Sequence, residues 1–162
     1  MTESEKPETS STKDPMALPQ SERMTRKATD EQIARSLSLA QAAVKAAAEN
    51  RGQDIILLDL TEQTAMFDFF VIASGASRRQ LGAMSNEIDR VMKQEFDERR
   101  MSIAGYEESR WIVLDYGSIV VHLFDEETRK FYDLESLWAD SKQVDISEIV
   151  SDASARMAKF KQ

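Results

Sequence analysis

The run Trp111-Ile112-Val113-Leu114-Asp115-Tyr116-Gly117-Ser118-Ile119-Val120-Val121-His122-Leu123-Phe124 restricts the fold more than any other part of this chain. Two stretches of β-branched and aromatic residues flank a glycine, which is the pattern of a β-hairpin. With Tyr116-Gly117 as a two-residue turn, the register pairs Asp115 with Ser118, Val113 with Val120 and Trp111 with His122. Alternation by two then puts Ile112, Leu114, Tyr116, Ile119, Val121 and Leu123 on one face, an apolar set that belongs against a core. The other face carries Trp111, Val113, Asp115, Ser118, Val120, His122 and Phe124, mixing apolar bulk with an acid and the only histidine of the chain. Such a face is expected to meet a partner rather than water alone.

The remaining segments supply a sheet for this hairpin to join. Thr29-Asp30-Glu31-Gln32 has the form of a capping box, and Ile33, Leu37, Ala40, Val44 and Ala47 follow at helical spacing, which predicts a helix over residues 30–50. Short apolar runs over 54–60 and 67–74 predict two strands. Ser77-Arg78-Arg79-Gln80 is a second capping box, opening an amphipathic helix on Leu81, Met84, Ile88, Val91 and Met92 that reaches toward Arg100. Residues 101–106 predict a short edge strand, and 133–139 one or two helical turns. A final helix carries Ile146, Ile149, Val150, Ala153, Met157 and Phe160 behind Asp145 as a cap. The order describes an α/β (α+β) domain, a single mixed β-sheet with flanking helices. Three regions are expected: a disordered tail over 1–28, which holds all three prolines, a domain over 29–140 and a C-terminal amphipathic helical extension over 141–162.

Composition narrows the function classes. The tail carries as many acids as bases, so the whole formal charge of −8 belongs to the folded part. Binding a nucleic-acid backbone needs clustered Lys and Arg, so a basic protein is the better-suited partner, with little direct contact to RNA. No apolar run is long enough to span a membrane, and a cytoplasmic protein with no membrane partner is expected. The absence of cysteine and the single histidine leave a metal site almost without nitrogen or sulfur ligands.

Three segments carry residues that suggest other chemistries. Gly75-Ala76-Ser77, between a strand and a helix start, offers backbone N–H groups to an anion, but it lacks the spacing of a phosphate-binding loop. Glu87-Ile88-Asp89 has the acid-x-acid count of a two-metal nucleotidyltransferase; on a helix, however, residues i and i+2 point roughly 200° apart and do not converge on one cation. An unperturbed imidazole titrates in the range of a general base, yet no serine or cysteine nucleophile accompanies His122, and a packing role fits a half-buried strand better. No catalytic residue, cofactor or metal ligand is assigned.

Four blocks carry a resemblance: Asp68-Phe69-Phe70-Val71-Ile72-Ala73-Ser74-Gly75-Ala76-Ser77, then Trp111 through Gly117, then Val121-His122-Leu123-Phe124, then Arg129-Lys130-Phe131-Tyr132-Asp133-Leu134-Glu135-Ser136-Leu137-Trp138. Together they resemble the Iojap family of bacterial ribosomal silencing factors, with Phe69 where tyrosine is common and Ser118 where aspartate usually follows the turn glycine. The resemblance implies a nucleotidyltransferase-like fold lacking the catalytic carboxylates, and a non-enzymatic role. It implies binding to a basic protein on the intersubunit face of the large ribosomal subunit, steric exclusion of the small subunit, repression of translation, and a part in large-subunit biogenesis. It also implies that the protein can form a homodimer.

The expected contact surface comprises Trp111, Asp115, Tyr116, Ser118, His122, Arg129, Tyr132 and Glu135. Trp111 supplies apolar area, Asp115 and Glu135 meet basic side chains, and His122 sets the tryptophan rotamer or donates a hydrogen bond. The sequence also admits two other readings: a nucleotidyltransferase-like nucleotide-binding enzyme using residues 74–79, and an adaptor acting through its C-terminal helix.

Overall fold

The computed structural model describes residues 28–160; the tail expected over 1–28 lies, Ala28 aside, outside them, as do Lys161 and Gln162. The elements run α1 (Asp30–Glu49), β1 (Gln53–Asp59), β2 (Phe69–Gly75), α2 (Arg78–Phe96), β3 (Ser102–Ala104), β4 (Trp111–Asp115), β5 (Ile119–Asp125), α3 (Glu126–Tyr132), α4 (Leu134–Leu137), β6 (Lys142–Gln143) and α5 (Ser147–Phe160). All six strands join one sheet in the order β3-β4-β5-β2-β1-β6. The central pair β2/β5 is parallel and the other pairs are antiparallel, so the expected single mixed sheet with flanking helices is borne out.

Local chemistry accounts for the helix boundaries. The Thr29 hydroxyl accepts from the Gln32 N–H at 3.2 Å while the Gln32 amide oxygen accepts from the Thr29 N–H at 2.9 Å, completing the first capping box. The second box forms only half. Ser77 accepts from the Gln80 N–H, but the Gln80 side chain turns to the N–H of Ala76 at 2.7 Å instead of that of Ser77. The helix begun there stops at Phe96, short of Arg100, because Asp97 adopts the left-handed conformation at φ 51°. Asp145 accepts from the Ser147 N–H at 2.9 Å and so opens α5; that bond holds its carboxyl below the usual range.

The hairpin forms one step further along the chain than the sequence suggests. Val113 pairs with His122 and Trp111 with Phe124, and the Tyr116 N–H donates to the Ile119 carbonyl at 3.0 Å, leaving Gly117-Ser118 as the loop. Gly117, at φ 89°, thereby takes the first loop position, where a type II′ turn demands positive φ; the expected turn would have forced that conformation near Tyr116. Because the slip is an even number of residues, both faces keep the members the alternation assigned them.

One face of the sheet packs under helices. Ile112, Leu114, Tyr116, Ile119, Val121 and Leu123 join Phe69, Val71, Leu57 and the buried stripes of α1 and α2. The buried alanines of α1 (Ala40, Ala43, Ala46, Ala47) bring their small side chains to the meeting of α1, α2 and α5. Helix α5 belongs to this layer, with Ala153 buried and Ile146, Ile149 and Val150 packed against the core. Among the described residues, the opposite face carries only the short α3–α4 segment; α4 falls within the turns expected over residues 133–139, and α3 precedes it, starting directly after β5. There Leu134 and Trp138 pack with Leu58, Phe70, Ile72, Val120 and Phe124.

Candidate functional site: the thinly covered sheet face

Strands β4 and β5 direct Trp111, Val113 and Asp115 beside Val120, His122 and Phe124 on the thinly covered face. The indole of Trp111 stacks on Phe124 at 4.8 Å between centroids and meets the Tyr132 ring at 4.8 Å on its way to the surface. Its Nε1–H donates to His122 Nδ1 at 3.2 Å. This bond makes Nδ1 an acceptor, so the proton of the neutral imidazole resides on Nε2, a buried atom with no partner among the described residues. His122 is 6 % exposed, with Phe70 edge-on at 4.8 Å, and burial pushes its pKa down to about 4. An imidazole so placed is neutral near pH 7 and is joined to the indole by this hydrogen bond.

Helix α3 starts where β5 ends because Asp125 caps it, accepting from the Thr128 N–H at 2.6 Å. Its last turn holds Arg129 and Tyr132. The Arg129 guanidinium donates to Glu135 at 2.6 Å and to the Ser74 hydroxyl at 2.7 Å, tying α3 and α4 to the end of β2. Tyr132 is 52 % exposed, and Phe131 and Leu137 are exposed at 80 % and 75 %. None of the α3 side chains is buried. These are large apolar groups left on the surface of a short, well-anchored segment.

The eight residues expected to form one contact surface therefore divide. Trp111, Tyr132, Arg129 and Glu135 converge at the α3 end of the hairpin, with His122 beneath the indole. Ser118 is half-buried in the turn at the other end, and Asp115 stands four residues along β4 from Trp111, roughly 13 Å away at ~3.3 Å per residue. Asp115 requires correction: it is 3 % exposed, and its carboxylate accepts from the Gly117 N–H at 2.7 Å, so it holds the turn and does not reach basic side chains. Tyr116 requires the same correction. It is 2 % exposed on the helix-covered face, where its hydroxyl donates to Asp89 at 3.2 Å, and burial together with that carboxylate raises its pKa. Glu135 is reachable, but it is already paired with Arg129. By spacing, Leu134, Leu137 and Trp138 share a helical face that reads as core; Leu134 and Trp138 do pack there, but Leu137 requires correction, because α3–α4 is too short to bury it. The exposure of Phe131 has no such stripe to reveal it, and Asp125-Glu126-Glu127-Thr128 is the available cap signal.

The candidates for other chemistry resolve into structural roles. Glu87 pairs with Arg90, whose hydrogen bond holds its carboxyl below the usual range, while Asp89 pairs with Arg100 at 3.0 Å and with Tyr116. At the Gly75-Ala76-Ser77 turn, the Ala76 N–H that an anion would use is taken by the Gln80 side chain. Among the described residues no group of three or more His, Asp or Glu side chains is placed to hold a metal ion.

A model of the family described as "Ribosomal silencing factor during starvation", RsfS, matches residues 33–162. The chain belongs to the RsfS family. Within that family it is 33 % identical over 113 residues to "Ribosomal silencing factor RsfS" of Halalkalibacterium halodurans, covering 70 % of this chain and 96 % of that one. It is 34 % identical over 92 residues to mouse "Mitochondrial assembly of ribosomal large subunit protein 1", covering 56 % of this chain and 40 % of the mouse protein. A crystal structure of a Chromobacterium violaceum protein superposes with a TM-score of 0.61 at 31 % identity, covering 64 % of this chain and 85 % of the other. The resemblance carried by the four sequence blocks is thus borne out, and the RsfS match extends through α5.

Proposed function

We propose that this RsfS-family regulator docks onto a basic protein on the intersubunit face of the large ribosomal subunit and, by occupying that face, keeps the small subunit from joining. Trp111 and Tyr132 form the centre of the contact. Phe131 and Leu137 extend its apolar area, Arg129 and Glu135 form its rim, and His122 holds the indole from below. Family membership supports the ribosomal setting, and the mouse relative's name supports the large subunit as the assembly concerned. The observation that carries the surface assignment is the exposure of Tyr132, Phe131 and Leu137 on one short segment of an acidic domain. Aromatic residues at the centre of an interface dominate its affinity, whereas rim charges act mainly on association rate and salt dependence.

The decisive experiment is sedimentation of the full chain with separated ribosomal subunits, followed by a subunit-joining assay. The expected result is co-migration with the large subunit alone and inhibition of joining. Tyr132→Ala, at an exposed position, should lower affinity about tenfold or more, and Trp111→Ala should cost more than Glu135→Ala at physiological salt. Wild-type losses from Tyr132→Ala and Trp111→Ala that are both negligible would remove the surface from this account, while co-migration with the small subunit would remove the function.

A further inference from the structure

We propose that a cleft beside this surface receives a basic side chain of the protein partner, with Glu108 and Glu127 pairing with its charge and Phe131 and Tyr132 providing its aromatic wall. The proposal rests on the docking reading above and names the chemistry recognised at the same site. The cleft has a volume of about 640 Å³ and opens beside Trp111, between the start of α2, the loop before β4, and α3.

The carboxylates that the sequence assigned to basic partners are occupied: Asp115 holds the hairpin turn and Glu135 holds Arg129. Around the cleft the position differs. Asp125 is engaged as the α3 cap, but Glu108 and Glu127 are exposed and enter no hydrogen bond or ion pair among the described residues. Phe131 lies on the same wall at 80 % exposure, and its ring neighbour is Tyr132, nearly perpendicular to it at 5.1 Å. An accessible aromatic ring beside unpaired carboxylates is the combination that favours a guanidinium or ammonium group, by cation–π attraction and charge-assisted hydrogen bonding. Arg78 and Arg110 also line the cleft and match Glu108 and Glu127 in number, but Asp125 adds a third negative charge while it caps α3, on a chain of formal charge −8. The field of the whole molecule favours a cation.

The test compares binding of the full chain to isolated large subunits across a salt series for wild type and three double variants. Glu108→Gln with Glu127→Gln, both at exposed positions, is expected to weaken binding about tenfold at low salt and to flatten its salt dependence. Glu148→Gln with Asp152→Asn, on the outside of α5, is expected to leave both nearly unchanged. Should the first pair bind like wild type while Tyr132→Ala is impaired, the basic-side-chain site is overturned and the docking reading stands. Equal losses from the two acidic pairs overturn it in favour of a general charge effect. A larger loss from Arg78→Ala with Arg110→Ala than from the glutamine pair overturns it in favour of an anionic ligand, and failure of the wild type to bind the large subunit overturns both readings together.

Discussion

His122 illustrates how one buried atom can link packing, recognition and pH. Its Nδ1 is committed to the indole of Trp111 and its Nε2–H is buried, so protonation would place a charge in an apolar layer between Phe70, Trp111 and Phe124. The folded group takes up a proton only near pH 4, whereas the unfolded one does so near pH 6.5. Between those values the unfolded state binds more protons, so the stability contributed by His122 is complete above about pH 6.5 and falls by about 3 kcal/mol as the pH drops to 4. Subtracting the urea-unfolding pH profile of His122→Gln from that of the wild type should isolate this slope; a flat difference would show that the imidazole is solvated. The sequence identified His122, Trp111 and their shared face from alternation alone. It also placed Asp115 on that face, which is correct, but exposure is not a property of periodicity. The Gly117 N–H, two residues on, satisfies the carboxylate and draws it into the turn.

Elements were legible wherever their signals were long. The stripes of α1 and α2 extend over enough residues to reveal a period, and β1 and β2 are marked by short unbroken apolar runs. Helix α3 and the two-residue β6 offer neither signal, and their positions depend on what the ends of β5 and β1 require, whereas α4 falls within the turns expected over residues 133–139. The turn between β3 and β4 exposes the same dependence at Gly105, which has φ 75°; a Cβ there would lie 2.0 Å from the Trp111 carbonyl oxygen. Gly105→Ala is therefore expected to destabilise the fold by about 3 kcal/mol or more and to disturb the indole along with it, measured by thermal unfolding and near-ultraviolet circular dichroism. Helix α5 carries a different consequence. Removing residues 142–162 strips β6 from the sheet and exposes the part of α1 that packs on Ile149, Val150 and Ala153. Each fully buried aliphatic side chain contributes about 1.5–3 kcal/mol, so truncation should lower stability by several kcal/mol. Loss of ribosome binding by that truncated chain would accordingly report unfolding, and urea titration beside the binding assay separates this from an adaptor role of the helix.

Across the whole molecule, β5 lies between β4 and β2, and its parallel partner β2 is distant in sequence. Burial is greatest along this pair, so amide hydrogen exchange should be slowest in β2 and β5 and fastest in β3 and β6, the short edges. Uniform protection across the six strands would contradict that ranking. Among the described residues, the three longer helices gather on one side, and the other side keeps a short anchored segment and the hairpin's aromatic residues. By itself, the sequence determined the two-faced hairpin, the main helices, the acidic charge and the family, because periodicity, composition and motif spacing are properties of neighbouring residues. Only the tertiary structure decided the turn register, the order of the strands, the burial of Asp115, Tyr116 and His122, and the freedom of Glu108, Glu127 and Phe131. Those depend on which distant groups reach each side chain first, and a linear pattern carries no information about that competition.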